Sequence, residues 1–360
     1  MKIQVAATLA AVLGLVTPTV RASEVERTIR AELSGTDASR FRVENLAGRM
    51  RITVGTSDRV TVVASVHAED ASLADEVRLE RVPAGDATIL RVRYPYGRVS
   101  TFRYQEPDRD SRWSFADVGS SESYDYDGHA VRVSARRGTR LHADLEIQVP
   151  AARLEAAFRN LVGRIEAEGL RGDLRFEVES ADLRLRRLEG DLVLEGSSGD
   201  IRAADIRGTW TSTFESGDCR LDGFEGELFA FRASSGDLSA RDVKARRIEA
   251  DTSSGDVHVA PADVEEVQAT AASGNVALTI QGDRLKSVRI DTSSGDVSLG
   301  LPADEAFDAS ADQASGDMIV GFSEGAAIRD GETLVGYRRG SGGAKIRVTT
   351  SSGDFSISPI

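Results

Sequence analysis

A row of carboxylates is the first chemistry this sequence offers. Asp200, Asp218, Asp237, Asp256, Asp296, Asp317 and Asp354 each close a Ser-Gly-Asp triplet, and Asn275 takes the same place after Ser273-Gly274. Stacked acids can coordinate Ca²⁺, as they do in nonapeptide β-rolls. Those rolls use paired glycines and a Gly-x-Asp order within nine residues, whereas here the acid directly follows a single glycine. Two carboxylates flanking a sugar linkage would suggest glycoside hydrolysis, yet no pair stands out from the rest of the row. The third chemistry is that of turns. Asp and Ser side chains bond to nearby backbone N–H groups and hold a bend that glycine makes accessible. Like charges stacked on neighbouring strands repel, so these carboxylates are expected to bond to backbone or to pair with the many arginines. The turn reading is preferred.

The remaining reactive residue types are sparse. His67, His129, His142 and His258 stand at no metal-ligand spacing to one another or to a cysteine. Cys219 is the only cysteine, so it forms no internal disulfide, and its place after Asp218 predicts a small apolar core residue. Nucleophile elbows and phosphate loops are absent. Aromatics concentrate between residues 94 and 138, which hold five of the six tyrosines and one of the two tryptophans. Tyr96, Tyr104, Trp113, Tyr124 and Tyr126 are the candidate binding residues, able to stack on sugar rings or a partner protein. The plainer alternative is an insertion whose aromatics pack on the rest of the fold.

The elements that position these residues follow from the repeat. The Ser-Gly-Asp or Ser-Gly-Asn glycines from Gly199 to Gly316 lie 18, 19, 19, 19, 21 and 21 residues apart. A weaker series (Gly163, Gly172, Ala181, Gly190, Gly199, Gly208, Gly217 and Gly226) recurs every nine. After most of the acids apolar residues alternate, as in Asp237-Leu238-Ser239-Ala240, which is a strand signature. Strands of three to five residues separated by Ser, Gly and Asp predict an all-β chain. Its architecture would be a single-stranded β-helix, or β-solenoid, in which each coil pairs with the next at about 4.8 Å. Roughly ten coils would make a rod of the order of 50 Å. Helices are disfavoured by the glycine load, at about 1 kcal/mol for each interior glycine. A two-sheet sandwich would not require such regular punctuation.

The chain divides accordingly. Lys2, the uncharged run Ile3–Val16, Pro18 and Val20-Arg21-Ala22 have the pattern of a signal peptide over 1–22. The apolar run is short for a bilayer core of about 30 Å, so no transmembrane segment is expected after cleavage. Residues 23–150 form an irregular β section carrying the aromatic and acidic insertion 94–138. Strands are expected near Phe41–Asn45, Ala47–Val54, Val60–Ala64 and Thr88–Val92, and this section can cap the open end of a rod. Residues 151–360 form the repeat region, where Ala344–Ile357 reads as the terminal coil after an insertion near 322–343. The net charge is −13, and −15 without Lys2 and Arg21, which disfavours nucleic acid and anionic membranes as partners.

The order Val43-Glu44-Asn45-Leu46-Ala47-Gly48, then Leu145-Glu146-Ile147-Gln148-Val149-Pro150, then the Ser-Gly-Asp series, resembles the bacterial β-strand-repeat domain of unknown function also called the "putative adhesin" family. The resemblance covers about residues 40–360, less the aromatic insertion. It implies a β-helix-like fold and brings no catalytic or binding residues with it. The functional expectation is a non-catalytic exported scaffold or adhesin-like binding protein, periplasmic or at the cell surface. Its partner would be a protein or glycan of the cell envelope, with no cofactor. The competing readings are a carbohydrate-active β-helix enzyme and a calcium-stabilised adhesin.

Overall fold

The computed structural model describes residues 25–85, 87–105 and 122–360. Residues 1–22, where the signal-peptide pattern falls, and Trp113 lie outside the described residues. No helix among the described residues is long and apolar enough to cross a membrane.

The repeat folds as predicted, into a parallel β-solenoid. Phe158 lies beside Phe176, Phe176 beside Leu194 and Leu194 beside Ser212. The same column continues through Phe231, Ala250, Ala269 and Ile290. These positions face inward and are buried, so each coil completes the core of its neighbours. Coils are 18 residues long until a register shift between Gly208 and Thr209 lengthens the next ones to 19. Strands such as Cys219–Ser235 run for 17 residues, longer than the three to five expected. The straight arms are nonetheless short: the pairing of this strand with the next skips residues 223, 227 and 234. Bends at these points leave the ladder between coils continuous.

The nine-residue series resolves into two corners of one coil. Gly199, Gly217, Gly236, Gly255, Gly274 and Gly295 stack in one column, and Gly172, Gly190, Gly208 and Gly226 in another. In the first column φ is near +126 to +147°, and a Cβ would collide with the carbonyl of the residue one coil earlier. Here glycine is required by both backbone conformation and close approach.

The two ends of the rod are closed differently. At one end Arg40–Val54 forms the first level, paired in parallel with Leu154–Glu168. Above it lie Ala87–Arg93 and Thr139–Val149, extended by the antiparallel strands Arg78–Ala84, Val60–Ala68 and Val25–Leu33. The early strands thus cap the rod, as expected. At the other end the expected terminal coil is in fact interior. Ala344–Ser352 lies between Ser287–Ser294 and Phe307–Gln313, and Phe355–Pro359 lies between Val297–Leu301 and Met318–Val320. The outermost level is therefore residues 307–320, covered in part by the hairpin of Ala326–Asp330 and Thr333–Arg339. Sequence order misleads here because parallel pairing needs only matching register, and the last coil supplies it to both neighbours.

Candidate binding surface

The acids of the repeat build a ladder. Except at the outermost member, Asp317, the side-chain Oδ1 accepts the backbone N–H of the equivalent residue in the neighbouring coil. Asp182 accepts from Asp200 at 3.2 Å, Asp200 from Asp218 at 3.2 Å and Asp218 from Asp237 at 3.2 Å. The series continues through Asp256, Asn275, Asp296, Asp354 and Asp317 at 2.7–2.9 Å. Asn275 fits because its amide oxygen accepts from Asp296 just as a carboxylate does. Asp144 makes the same bond to Arg49 N–H at 2.8 Å, continuing the device into the cap. The row of acids is thus turn chemistry that ties coil to coil. Among the described residues no group of three or more metal-ligating side chains converges. Burial raises the Asp200 carboxyl above its usual value, with the neighbouring Asp182 and Asp218 charges adding to the effect.

The second carboxylate oxygens connect this ladder to a set of arginines. Asp200 Oδ2 pairs with Arg202 at 3.3 Å and Asp218 Oδ2 with Arg220 at 3.6 Å. Arg184, Arg202 and Arg220 lie in direct register on consecutive coils. Arg51 lies two levels before Arg184, with Glu166 between them. Arg186 and Arg241 occupy the neighbouring outward column. Together these six line an open groove of about 900 Å³ along one face of the rod. Arg51, Arg186, Arg220 and Arg241 are exposed. The inward residues between the two columns, Ile52, Leu185, Ala203 and Leu221, are buried and fix which way the arginines point. This groove was missed in the sequence. Its signal was available as Asp-apolar-Arg at an 18-residue period: Asp182-Leu183-Arg184, Asp200-Ile201-Arg202 and Asp218-Cys219-Arg220.

The aromatic candidates occupy different surroundings. Tyr104, Tyr124 and Tyr126 are buried, and Tyr96 is half-buried. The Tyr126 hydroxyl donates to Val92 O at 2.8 Å, and that of the buried Tyr94 to Asn45 Oδ1 at 2.8 Å. Burial pushes both phenols up. Tyr104 meets the His142 ring edge-on at 5.0 Å, and Tyr96 stacks on His129 at 4.4 Å. The structure therefore places Tyr104, Tyr124 and Tyr126 in the core of the cap, with Tyr96 packed against it. Large apolar bodies drive them inward, and the hydroxyls of Tyr94 and Tyr126 reach acceptors there. A charge network fixes the end of the insertion: Glu44, itself buried, pairs with Arg42 at 2.7 Å and Arg91 at 2.6 Å, and Arg91 also pairs with Asp127. Cys219 is fully buried, and its thiol is pushed up to about 12 by burial.

A parallel β-solenoid whose turns are tied by a side-chain ladder, with one arginine-lined face, is the class defined by this architecture. The family model of the Toastrack domain DUF4097 matches residues 140–358, and the chain belongs to that family. Among curated proteins none matches the chain. Solved structures similar to it include a "putative adhesin" from Parabacteroides merdae, 9% identical, with a TM-score of 0.39 and coverage of 92% of this chain and 96% of that one. A "putative lipid binding protein" from Parabacteroides distasonis is 10% identical, with a TM-score of 0.37 and coverage of 92% and 96%. A "putative cell adhesion protein" from Clostridium sporogenes is 10% identical, with a TM-score of 0.24 and coverage of 93% and 100%.

Proposed function

We propose that this chain is a non-catalytic, exported binding protein of the cell envelope, in which the solenoid is a rigid scaffold for an elongated binding face. The observation that carries this reading is the division of labour on the coil surface. The repeated acids are committed to inter-coil backbone bonds, while the arginines beside them line a long open groove. A shallow groove crossing several coils suits an extended ligand held by repeated contacts, as solenoid faces do. Enzymatic hydrolysis would need one acid pair set apart in environment, and the ladder gives most acids the same bond. Export, and with it a periplasmic or cell-surface location, rests in this reading on the signal-peptide pattern at residues 1–22.

The test is co-sedimentation of the purified mature chain with isolated cell envelopes, alongside turnover assays on cell-wall and extracellular glycans. Retention by envelopes without turnover is expected. Glycan cleavage lost on changing one Asp, and kept on changing its ladder neighbours, would overturn the reading.

A further inference from the structure

The arginine groove has a chemistry that narrows its ligand. Its charges repeat with the coil: Arg184, Arg202 and Arg220 present one guanidinium per level, a spacing of about 4.8 Å. From the level of Arg51 to that of Arg241 the strip spans roughly 24 Å. Arg220 is exposed, and Arg51, Arg186 and Arg241 are exposed and have no ion pair among the described residues. On a chain of net charge −13, six arginines against the three acids that line the same groove leave a local excess of positive charge. Guanidinium groups match carboxylates through two parallel hydrogen bonds.

The groove also contains acids. Glu166, Glu168 and Asp222 lie among the arginines, and Thr53, Ala204 and Ser239 leave low points between them. Carboxylates would repel a densely charged phosphate polymer, but they accept hydrogen bonds from hydroxyl groups. A ligand that alternates negative charge with hydroxyls satisfies both sets. Among the described residues no aromatic side chain lines the groove, so it offers none of them as the stacking platform that single-stranded nucleic acids use. The acidic chain as a whole opposes close approach to a flat anionic bilayer.

Resting on the binding function proposed above, we infer that this groove binds a linear glycan of carboxylated sugars, one carboxylate per ring. Successive rings would lie along successive coils. Arg51, Arg186 and Arg241, which have no ion pair among the described residues, would take carboxylates outright, and Arg184, Arg202 and Arg220 would share theirs with Glu166, Asp200 and Asp218.

The test measures binding of the full mature chain to polygalacturonate at low salt, with dextran as the neutral polymer and polyphosphate as the phosphate polymer. Binding to polygalacturonate that weakens with salt, with weaker binding to polyphosphate and none to dextran, is expected. The variant Arg51→Gln/Arg186→Gln/Arg241→Gln removes exposed side chains with no ion pair, so it should melt like the parent and bind about tenfold more weakly, equivalent to about 1.4 kcal/mol. Arg184→Gln/Arg202→Gln/Arg220→Gln should reduce binding further. Arg171→Gln/Arg207→Gln/Arg246→Gln, outside this groove, should leave it unchanged. Equal or tighter binding of polyphosphate, or loss of affinity only in the variant outside the groove, would overturn the inference. Envelope binding that depends on the groove arginines but shows no affinity for polygalacturonate would overturn this inference and leave the proposed function standing. Failure to bind either would remove both.

Discussion

Single residues in this fold are decided by their column. Gly236 holds φ at +135°, and a Cβ there would run into the carbonyl of Gly217. Gly236→Ala should cost on the order of 3 kcal/mol or more, seen as a fall in Tm of about 10 °C. Gly97→Ala, with nothing within 4 Å and an ordinary φ, should melt like the parent. Asp200 offers a second test. Its folded carboxyl is raised above the usual value by burial and by neighbouring acids, so the native state binds that proton more tightly than the unfolded chain does. The cost of its charge is therefore fully present above the folded value and is relieved as pH falls towards the unfolded value. Asp200→Asn keeps the acceptor for Asp218 N–H, as Asn275 does for Asp296. Its Tm should be higher than the parent's at pH 7, with the gap closing on acidification. A variant that is less stable by the same amount at every pH would refute this account. Cys219 belongs to the same scale. Buried and held as a neutral thiol, it should resist alkylation in the native protein and react at the rate of a free cysteine in denaturant.

At the scale of elements, the last coil carries more of the fold than its place in the chain suggests. Ala344–Ser352 pairs on one side with Ser287–Ser294 and on the other with Phe307–Gln313. Removing residues 344–360 would strip the inner partner from the outermost level and expose Val297, Leu299 and Ile290. The truncated chain should lose cooperative unfolding and bind a hydrophobic dye. A truncated chain that kept the parent's transition would show that the outer level stacks directly on the coil below. The cap depends on different forces. The buried pair of Asn45 and Asn160 bonds Ala143 O and Gly48 O, both at 2.8 Å, and the Glu44 network ties the insertion's end to the first level. Polar side chains here replace the regular ladder where the backbone leaves the coil geometry.

For the whole molecule, the repeat determined most of what was legible in the sequence. A glycine-punctuated period of 18 to 21 residues with alternating apolar positions has one compact solution, because no single coil can bury its own apolar face. The solenoid, the turn role of Asp237 or Asp256, the burial of Cys219 and the capping role of the early strands all follow from local pattern and from that constraint. Tertiary structure alone decided three other matters. The level taken by Ala344–Ser352 depends on long-range register, which sequence order does not encode. The burial of Tyr104, Tyr124 and Tyr126 depends on the cap closing around them, whereas composition shows only that aromatics cluster. The arginine groove exists because residues 18 apart become neighbours about 4.8 Å apart. Read along the chain, Arg184, Arg202 and Arg220 are scattered charges on an acidic protein; stacking the coils turns them into a single surface.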